Sequence, residues 1–125
     1  MRRRGLAVAA LTLLGGGCAN SGTPPREQAR ATIQTFLKTC AADRAVAASE
    51  LLTKPLRKSF IAAGSGLDGC HAVLGLSAGG ALRGVRVVAL RMRPQAATAA
   101  LRDPAGHTAR VELESSDDTW ELAGR

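Results

Sequence analysis

The spacing of the apolar residues changes at one point in the chain, and this change constrains the fold more than any other feature. Before Gly79-Gly80, apolar residues recur three or four positions apart, as on one face of a helix. After these glycines they alternate along the chain, as on the two faces of β-strands. Helices followed by strands predict an α+β domain with three N-terminal helices packed on a curved, four-stranded antiparallel sheet.

The first two helices are predicted from their ends and their apolar residues. The first begins near Thr23-Pro-Pro, because proline is tolerated in a first turn, and runs to about Ala42. Asp43 is the expected N-cap of a short second helix. Its apolar residues are Val46, Leu51 and Leu52.

A third helix is predicted over about 55–63, with Thr53 as a suitable cap. Gly64-Ser-Gly66 ends it, and a short helical turn over 70–75 brings Cys70 back beneath the first helix, near Cys40. The residues of the third helix expected to face inward are Leu56, Phe60 and Ile61.

The first predicted strand, 85–90, is largely apolar on both alternating faces, so we expect it to be covered on both sides. Pro94-Gln95 separates it from a second strand, 97–102, and a turn at 103–106 leads to the third. A polar turn at 115–118 precedes the fourth. The predicted inner face comprises Val85, Val87, Ala97, Ala99, Leu101, Ala109, Val111, Leu113 and Trp120.

The N-terminal segment has the layout of a secretory signal. Arg2–Arg4 form a cationic start, and the apolar run 6–14 is about half of the roughly 20 residues needed to span a bilayer. Small residues then lead to Cys18, which resembles the acylated cysteine of a bacterial lipoprotein. Gly15 stands where such signals usually carry leucine, so ordinary cleavage after Ala19, which would give a secreted protein, is the alternative.

These features predict the organisation and the location of the protein. We expect a lipoprotein signal peptide at 1–17, lipid attachment at Cys18, a flexible tether over 18–25 and one domain over 26–125. The domain would then be held at the extracytoplasmic face of the cell membrane by its lipid.

Two cysteines remain once Cys18 is assigned to the lipid. An even pair in an exported protein predicts a disulfide between Cys40 and Cys70. It closes a loop of roughly 30 residues and contributes roughly 3–4 kcal/mol in the chain-entropy model. The alternative is a catalytic thiol or a metal pair with the adjacent His71. The chain has only two histidines and no second cluster of cysteine and histidine, so neither a metal nor another cofactor is expected.

The charge of the chain does not indicate a nucleic-acid-binding protein. The net charge is +7, and without residues 1–17 the chain keeps 14 Lys and Arg against 10 Asp and Glu, which gives +4. A nucleic-acid interface usually combines a concentrated basic face with interleaved aromatic residues. Phe36, Phe60 and Trp120 are the only aromatic residues of this chain.

One basic cluster is visible, at Arg83, Arg86, Arg91 and Arg93. Strict alternation places Arg91 and Arg93 on one face of the first strand and Arg86 on the other, unless a β-bulge changes the register. The cluster is interpreted either as a solvated strand end near an anionic membrane or as a site for an acidic partner or a lipid head group.

The order of these segments resembles a known family. The stretches ATIQTFLKTCAADRAVAASELLTKPLRKSF, GCHAVLG, GVRVVAL, TARVEL and TWEL are similar to those of NTF2-like (cystatin-like α+β cone) lipoproteins exported by high-GC Gram-positive bacteria. The resemblance covers about residues 26–123. It implies a cone whose mouth can hold a pocket between sheet and helices, and it does not imply one function.

The predicted inner face lacks a paired acid and base, so we expect a non-enzymatic domain that binds a partner protein or a small apolar ligand. His107 is expected to be exposed at a strand start, without a second catalytic partner. The alternatives are an enzyme that acts on a hydrophobic small molecule through His71 and a nearby acid, and an envelope-accessory lipoprotein without a ligand. The candidate pocket residues are His71, Val87, Val111 and Trp120.

Overall fold

The computed structural model describes residues 22–76 and 82–125. The signal segment, Cys18, the first half of the tether and Gly79-Gly80 lie outside the described residues. What was predicted for these residues therefore stays a prediction.

The described residues form helices first and strands second. The helices are α1 (Pro25–Ala41), α2 (Ala45–Ser49), α3 (Lys54–Ala62) and α4 (Gly66–Leu74), and the strands are β1 (Arg86–Arg93), β2 (Ala96–Arg102), β3 (Thr108–Ser116) and β4 (Thr119–Gly124). The strands form one antiparallel sheet in the order β1-β2-β3-β4. The prediction of an α+β domain with four antiparallel strands is confirmed. Within the described segments there are four helices rather than three, because the turn expected at 70–75 is part of α4.

The core lies between α1 and the inner face of the sheet. The apolar residues of α1 recur at helical spacing and are buried, with Ile33 and Phe36 fully inaccessible. The helix contacts both β1 and β4. Phe60 of α3 and Trp120 of β4 belong to the same hydrophobic cluster as Phe36. On the sheet, the fully or almost fully buried side chains are Leu90, Ala97, Ala99, Leu101, Val111, Leu113, Trp120 and Leu122.

Asp43 ends α1 and does not begin α2, which corrects the predicted cap. The N–H of Arg44 donates to the carbonyl of Thr39 at 2.9 Å, and the N–H of Asp43 donates to that of Cys40 at 3.1 Å. This pair of bonds is a Schellman motif, whose closing residue adopts a left-handed conformation, and Asp43 has φ +58°. Aspartate tolerates this conformation better than most residues. Arg44 occupies the N-cap position of α2 instead.

The second predicted helix is shorter than expected, because its last apolar residues join the sheet. α2 ends at Ser49. Leu52 forms a parallel bridge with Leu122 of β4, and the N–H of Leu122 donates to the carbonyl of Leu51 at 2.8 Å. The chain between α2 and α3 therefore forms hydrogen bonds with backbone groups at the β4 edge of the sheet.

Helix α3 buries a narrower face than predicted. Phe60 is 1% exposed, whereas Ile61 is 59% exposed, so the inward orientation predicted for Ile61 is wrong. Neighbouring residues on a helix point about 100° apart, and the face of α3 that meets α4 is the one that carries Phe60.

A disulfide joins α1 to α4, as predicted. Cys40 and Cys70 are bonded, with their Cα atoms 6.1 Å apart, and both residues are buried. Gly69 lies beside this cross-link, where α4 approaches α3. A methyl group at Gly69 would lie 2.7 Å from both Cδ1 and the carbonyl oxygen of Phe60.

Strand β1 is covered on one face only, against the prediction, and a shift in its register decides which residues lie on the exposed face. Val87 pairs with Leu101 and Ala89 pairs with Ala100, which leaves Val88 as an extra residue. Such a bulge inverts the alternation of side chains beyond it. Leu90 is consequently buried, whereas Val88 and Ala89 are exposed.

Candidate functional site

The four residues predicted to line a ligand pocket do not share one environment. Val111 is fully buried and Trp120 is 7% exposed, both within the hydrophobic core. Val87 is partly buried and packs against that core. His71 is 5% exposed and lines a surface groove together with Asp68 and Arg125. The three sheet residues do not line the groove that holds His71, and an apolar ligand at these positions stays a prediction.

His71 is a buried polar residue without a described partner. Neither Nδ1 nor Nε2 forms a hydrogen bond within the described part of the chain. The ring lies beside an open groove of about 450 Å³ that also includes Gly75 and Leu76. A buried unpaired nitrogen is costly to the folded state, but this groove brings no second proton-transfer group into hydrogen-bonding contact with the ring among the described residues.

A larger groove lies on the outer face of the sheet, which we define as the face of β1–β3 opposite the core. Its volume is about 590 Å³. Its floor consists of small side chains, those of Ala89, Thr98 and Ala100, and arginines of β1 and β3 flank it. We call it the arginine groove; its lining residues are Ala89, Leu90, Arg91, Arg93, Thr98, Ala100, Arg110 and Glu112.

The β1 bulge creates the arginine groove. Because the alternation inverts at Val88, Arg91 and Arg93 point to the same face as Arg86, and all three are exposed. Strict alternation predicts Arg86 on the opposite face, and that prediction is wrong. The sequence carried no clear signal for the bulge, since residues 85–90 are largely apolar on both faces.

Three polar side chains of the arginine groove bind one another. Arg93 donates from Nη1 to Thr98 Oγ1 at 3.0 Å and from Nη2 to Glu112 Oε1 at 3.2 Å, and the Thr98 hydroxyl donates to the same carboxylate oxygen at 3.0 Å. The charges of Arg93 and Glu112 are thereby paired. Arg91 and Arg110 form no ion pair with any other described residue. Their guanidinium groups are the part of the groove open to a ligand.

A second interaction, which was not expected from the sequence, joins Asp103 and His107. The N–H of His107 donates to Asp103 Oδ1 at 2.8 Å, and Nδ1 of its ring lies 3.1 Å from Oδ2. The Asp103 side chain is 4% exposed and that of His107 is 66% exposed. The sequence did contain a signal for this contact, because an aspartate precedes a histidine by four residues across a Pro-Ala-Gly turn.

The environment of Asp103 favours its charged form. Burial by itself would raise the pKa of the Asp103 carboxyl. The hydrogen bonds from the His107 backbone and ring, the charge of that ring when protonated and the Ala105 N–H outweigh burial and lower the pKa below its usual value. The N–H of Asp103 also donates to the His107 carbonyl at 2.9 Å. The pair therefore closes the β2–β3 turn, which gives it a structural role.

No family model, no curated protein and no solved structure matches this chain. Among the residues that the structure describes, no helix combines the length and the apolar character required to cross a bilayer. The same residues contain no group of three or more metal-ligating side chains. The arginine groove, with its floor of small side chains and its two flanking arginines without an ion pair among the described residues, is the candidate site that the geometry of the chain supports best.

Proposed function

We propose that the protein is a non-enzymatic, lipid-anchored NTF2-like domain that acts outside the cytoplasm by binding a partner protein through its arginine groove. The anchoring part of the proposal is supported by the signal-like segment that ends at Cys18. The NTF2-like part is supported by the order of the sequence segments that resemble this family. Helices followed by a four-stranded antiparallel sheet are compatible with its cone-shaped fold.

The observation that carries the proposal is the contrast between the two faces of the sheet. The inner face is filled by packed side chains such as Val111 and Leu113. The outer face holds a groove with a floor of small residues and two guanidinium groups, Arg91 and Arg110, that lack described partners. Small side chains let another backbone approach closely, and arginine is enriched at protein interfaces. This favours a partner protein over a small apolar ligand.

The acid–base groups support binding rather than catalysis. A general acid or base must reach a substrate and be oriented by a second polar group. Asp103 and His107 satisfy the second condition, but their bonds hold a turn closed. His71 lines an open groove but fails the second condition within the described residues, because neither ring nitrogen has a hydrogen-bond partner.

Position-specific cross-linking in living cells tests the proposed interface. A photoreactive residue at Thr98, on the groove floor, should form an adduct of defined mass, because a bound partner covers this position. The same residue at Ser59, which is exposed on α3, should not form that adduct. Arg91→Glu should abolish the Thr98 adduct. Equal adducts at Thr98 and Ser59, or an adduct that survives Arg91→Glu, would contradict the proposed interface.

The anchor is tested separately by Cys18→Ala. If Cys18 carries a lipid, this variant should leave the membrane fraction for the soluble extracytoplasmic fraction, or remain as an uncleaved precursor. Wild-type protein that is already soluble, with Ala19, Asn20 or Ser21 at its N-terminus, would show that the lipid is absent.

A further inference from the structure

The outer face of the sheet carries opposite charges in its two halves. The basic half, next to β1 and the β2–β3 turn, contains Arg86, Arg91, Arg102 and Arg110. The acidic half, next to β4, contains Glu112, Glu114 and Glu121, and the β3–β4 turn adds Asp117 and Asp118. Cross-strand pairing places like charges together in each half: Arg86 lies opposite Arg102, and Glu114 lies opposite Glu121. Like charges opposite each other are destabilising, so an oppositely charged ligand on either half would relieve repulsion.

Arg93 separates the two halves by pairing with the nearest acidic residue. Glu112 is two residues from Arg110 on β3 and on the same face, and would be a natural partner for it. Instead, Glu112 Oε1 accepts from Arg93 Nη2 and from Thr98. The competing carboxylate is thereby occupied, and both Arg91 and Arg110 are left to bind another group.

Arg91 and Arg110 flank a site of defined width. Arg91 lies opposite Thr98 on β2, and Arg110 lies opposite Ala100, the next outward-facing position on that strand. Neighbouring strands are about 4.8 Å apart, so β1 and β3 are about 10 Å apart, with the small side chains of β2 between them. Long arginine side chains on both flanks can converge over this low floor on one or two anionic groups.

We infer that the occupant of the arginine groove is an acidic segment of a partner protein, with carboxylates on alternate residues of an extended chain. This inference rests on the proposed function and specifies the chemistry of the partner. Guanidinium groups bind carboxylates through charge-assisted hydrogen bonds, which are often paired. On the same face Arg93 makes one such bond to Glu112, from Nη2 to Oε1. Alternate residues of an extended chain are about 6.7 Å apart, which equals the spacing between successive outward positions of β2.

The mixed charge of the face favours an acidic segment over an anionic membrane. A bilayer surface would cover both halves of the face, and its head groups would be repelled by Glu114, Glu121 and the β3–β4 turn. A short peptide segment can contact the basic half alone. The groove is also concave, with arginines on both sides of the floor, which fits a chain better than a flat surface.

The test measures binding of a fluorescein-labelled peptide of alternating glutamate and alanine, about ten residues long, to the mature protein purified in a non-ionic detergent. We expect saturable binding that weakens as salt rises, because the contacts are between charges. Arg91→Ala and Arg110→Ala should each weaken binding about fivefold or more. Arg26→Ala is the control, because it removes the same charge from an exposed position on α1. It should change the affinity less than twofold. A peptide of alternating lysine and alanine can be attracted only by the acidic half, so Arg91→Ala should not weaken its binding.

Four results would overturn the inference. The first is no binding of the acidic peptide at low salt, and the second is equal weakening by Arg26→Ala and Arg91→Ala. The third is tighter binding to phosphatidylglycerol vesicles than to the peptide, which would assign the groove to a membrane. The fourth is concentration-dependent self-association that Arg91→Ala abolishes, which would assign the groove to a second copy of the chain. If Thr98 forms its adduct in cells while the acidic peptide fails to bind, the proposed interface stands and the acidic partner is wrong. If the peptide binds but Thr98 forms no adduct, the proposed function is wrong.

Discussion

Single residues decide how closely the helices approach one another, and Gly69 is the clearest case. It is buried in α4 where that helix meets Phe60 of α3. Both a ring carbon and a backbone carbonyl of Phe60 are too near to admit a side chain. Since a carbonyl on a helix cannot move independently, the two helices would have to separate.

We therefore expect Gly69→Ala to destabilise the domain by about 1–3 kcal/mol, although alanine is the better helix former. Chemical denaturation checks this through the midpoint of unfolding. Gly124→Ala is the matched control, because a methyl group there has no neighbour within 4 Å among the described atoms, and it should change the midpoint little. A neutral or stabilising Gly69→Ala would contradict the close contact.

Trp120 is the largest core residue of the sheet, and its replacement tests whether that core is filled. It is 7% exposed on β4, so Trp120→Ala should leave a cavity and cost roughly 3–5 kcal/mol of unfolding free energy. Glu121→Ala, on the opposite face of the strand, should cost almost nothing. If the tryptophan instead lined an open pocket, its fluorescence would be red-shifted and quenched by iodide, and Trp120→Ala would remain stable.

At the scale of elements, features that depend on local residue spacing could be predicted from the sequence. Features that depend on how one strand pairs with the next could not. The spacing of Ile33, Phe36 and Cys40 gives α1 its buried face without reference to any other element. The bulge at Val88 depends on which residue of β2 lies opposite, and nothing within β1 specifies this. The arginine groove follows from that bulge, so only the cluster of arginines could be predicted, not the face they share. Asp43 was misassigned for a related reason, since an aspartate between two helices can end one or begin the next.

Asp103, in the β2–β3 turn, should make the free energy of unfolding depend on pH. Its folded-state pKa is lowered, so its ionised form stabilises the folded state above the usual aspartate pKa of about 4. That contribution is lost as pH falls through the lower, folded-state pKa. We expect Asp103→Asn to be less stable than wild type near neutral pH, and the difference to shrink on acidification to about pH 2.5. Thermal unfolding across this range measures it, and a constant difference would contradict the role assigned to the carboxylate.

For the whole molecule, the disulfide is the main link between distant parts of the helical layer. It joins the end of α1 to α4 across a sequence separation of 30 residues, and α2 and α3 lie within the loop that it closes. A domain with so few aromatic residues has limited apolar surface to bury, so a constraint on the unfolded chain contributes a large share of its stability.

Cys70→Ser should accordingly lower the melting temperature by roughly ten degrees or more, which corresponds to a loss of about 3–4 kcal/mol for a domain of this size. Calorimetry of wild type and variant under non-reducing conditions measures the shift. Wild-type protein treated with a reductant should melt near the variant. Two free thiols in protein recovered from outside the cytoplasm would contradict the cross-link.

The bond between α1 and α4 also determines how the molecule responds to a protease. If a protease cleaves one peptide bond between Cys40 and Cys70, both products remain covalently attached to each other. The sheet that carries the arginine groove follows α4 in the chain, so it would stay joined to α1 and, through α1, to any lipid on Cys18. Such a cleaved protein would run as one band on a non-reducing gel and as two after reduction. The groove could therefore remain at the membrane surface after such a cleavage. In a chain without this bond, the same cleavage would release the C-terminal fragment.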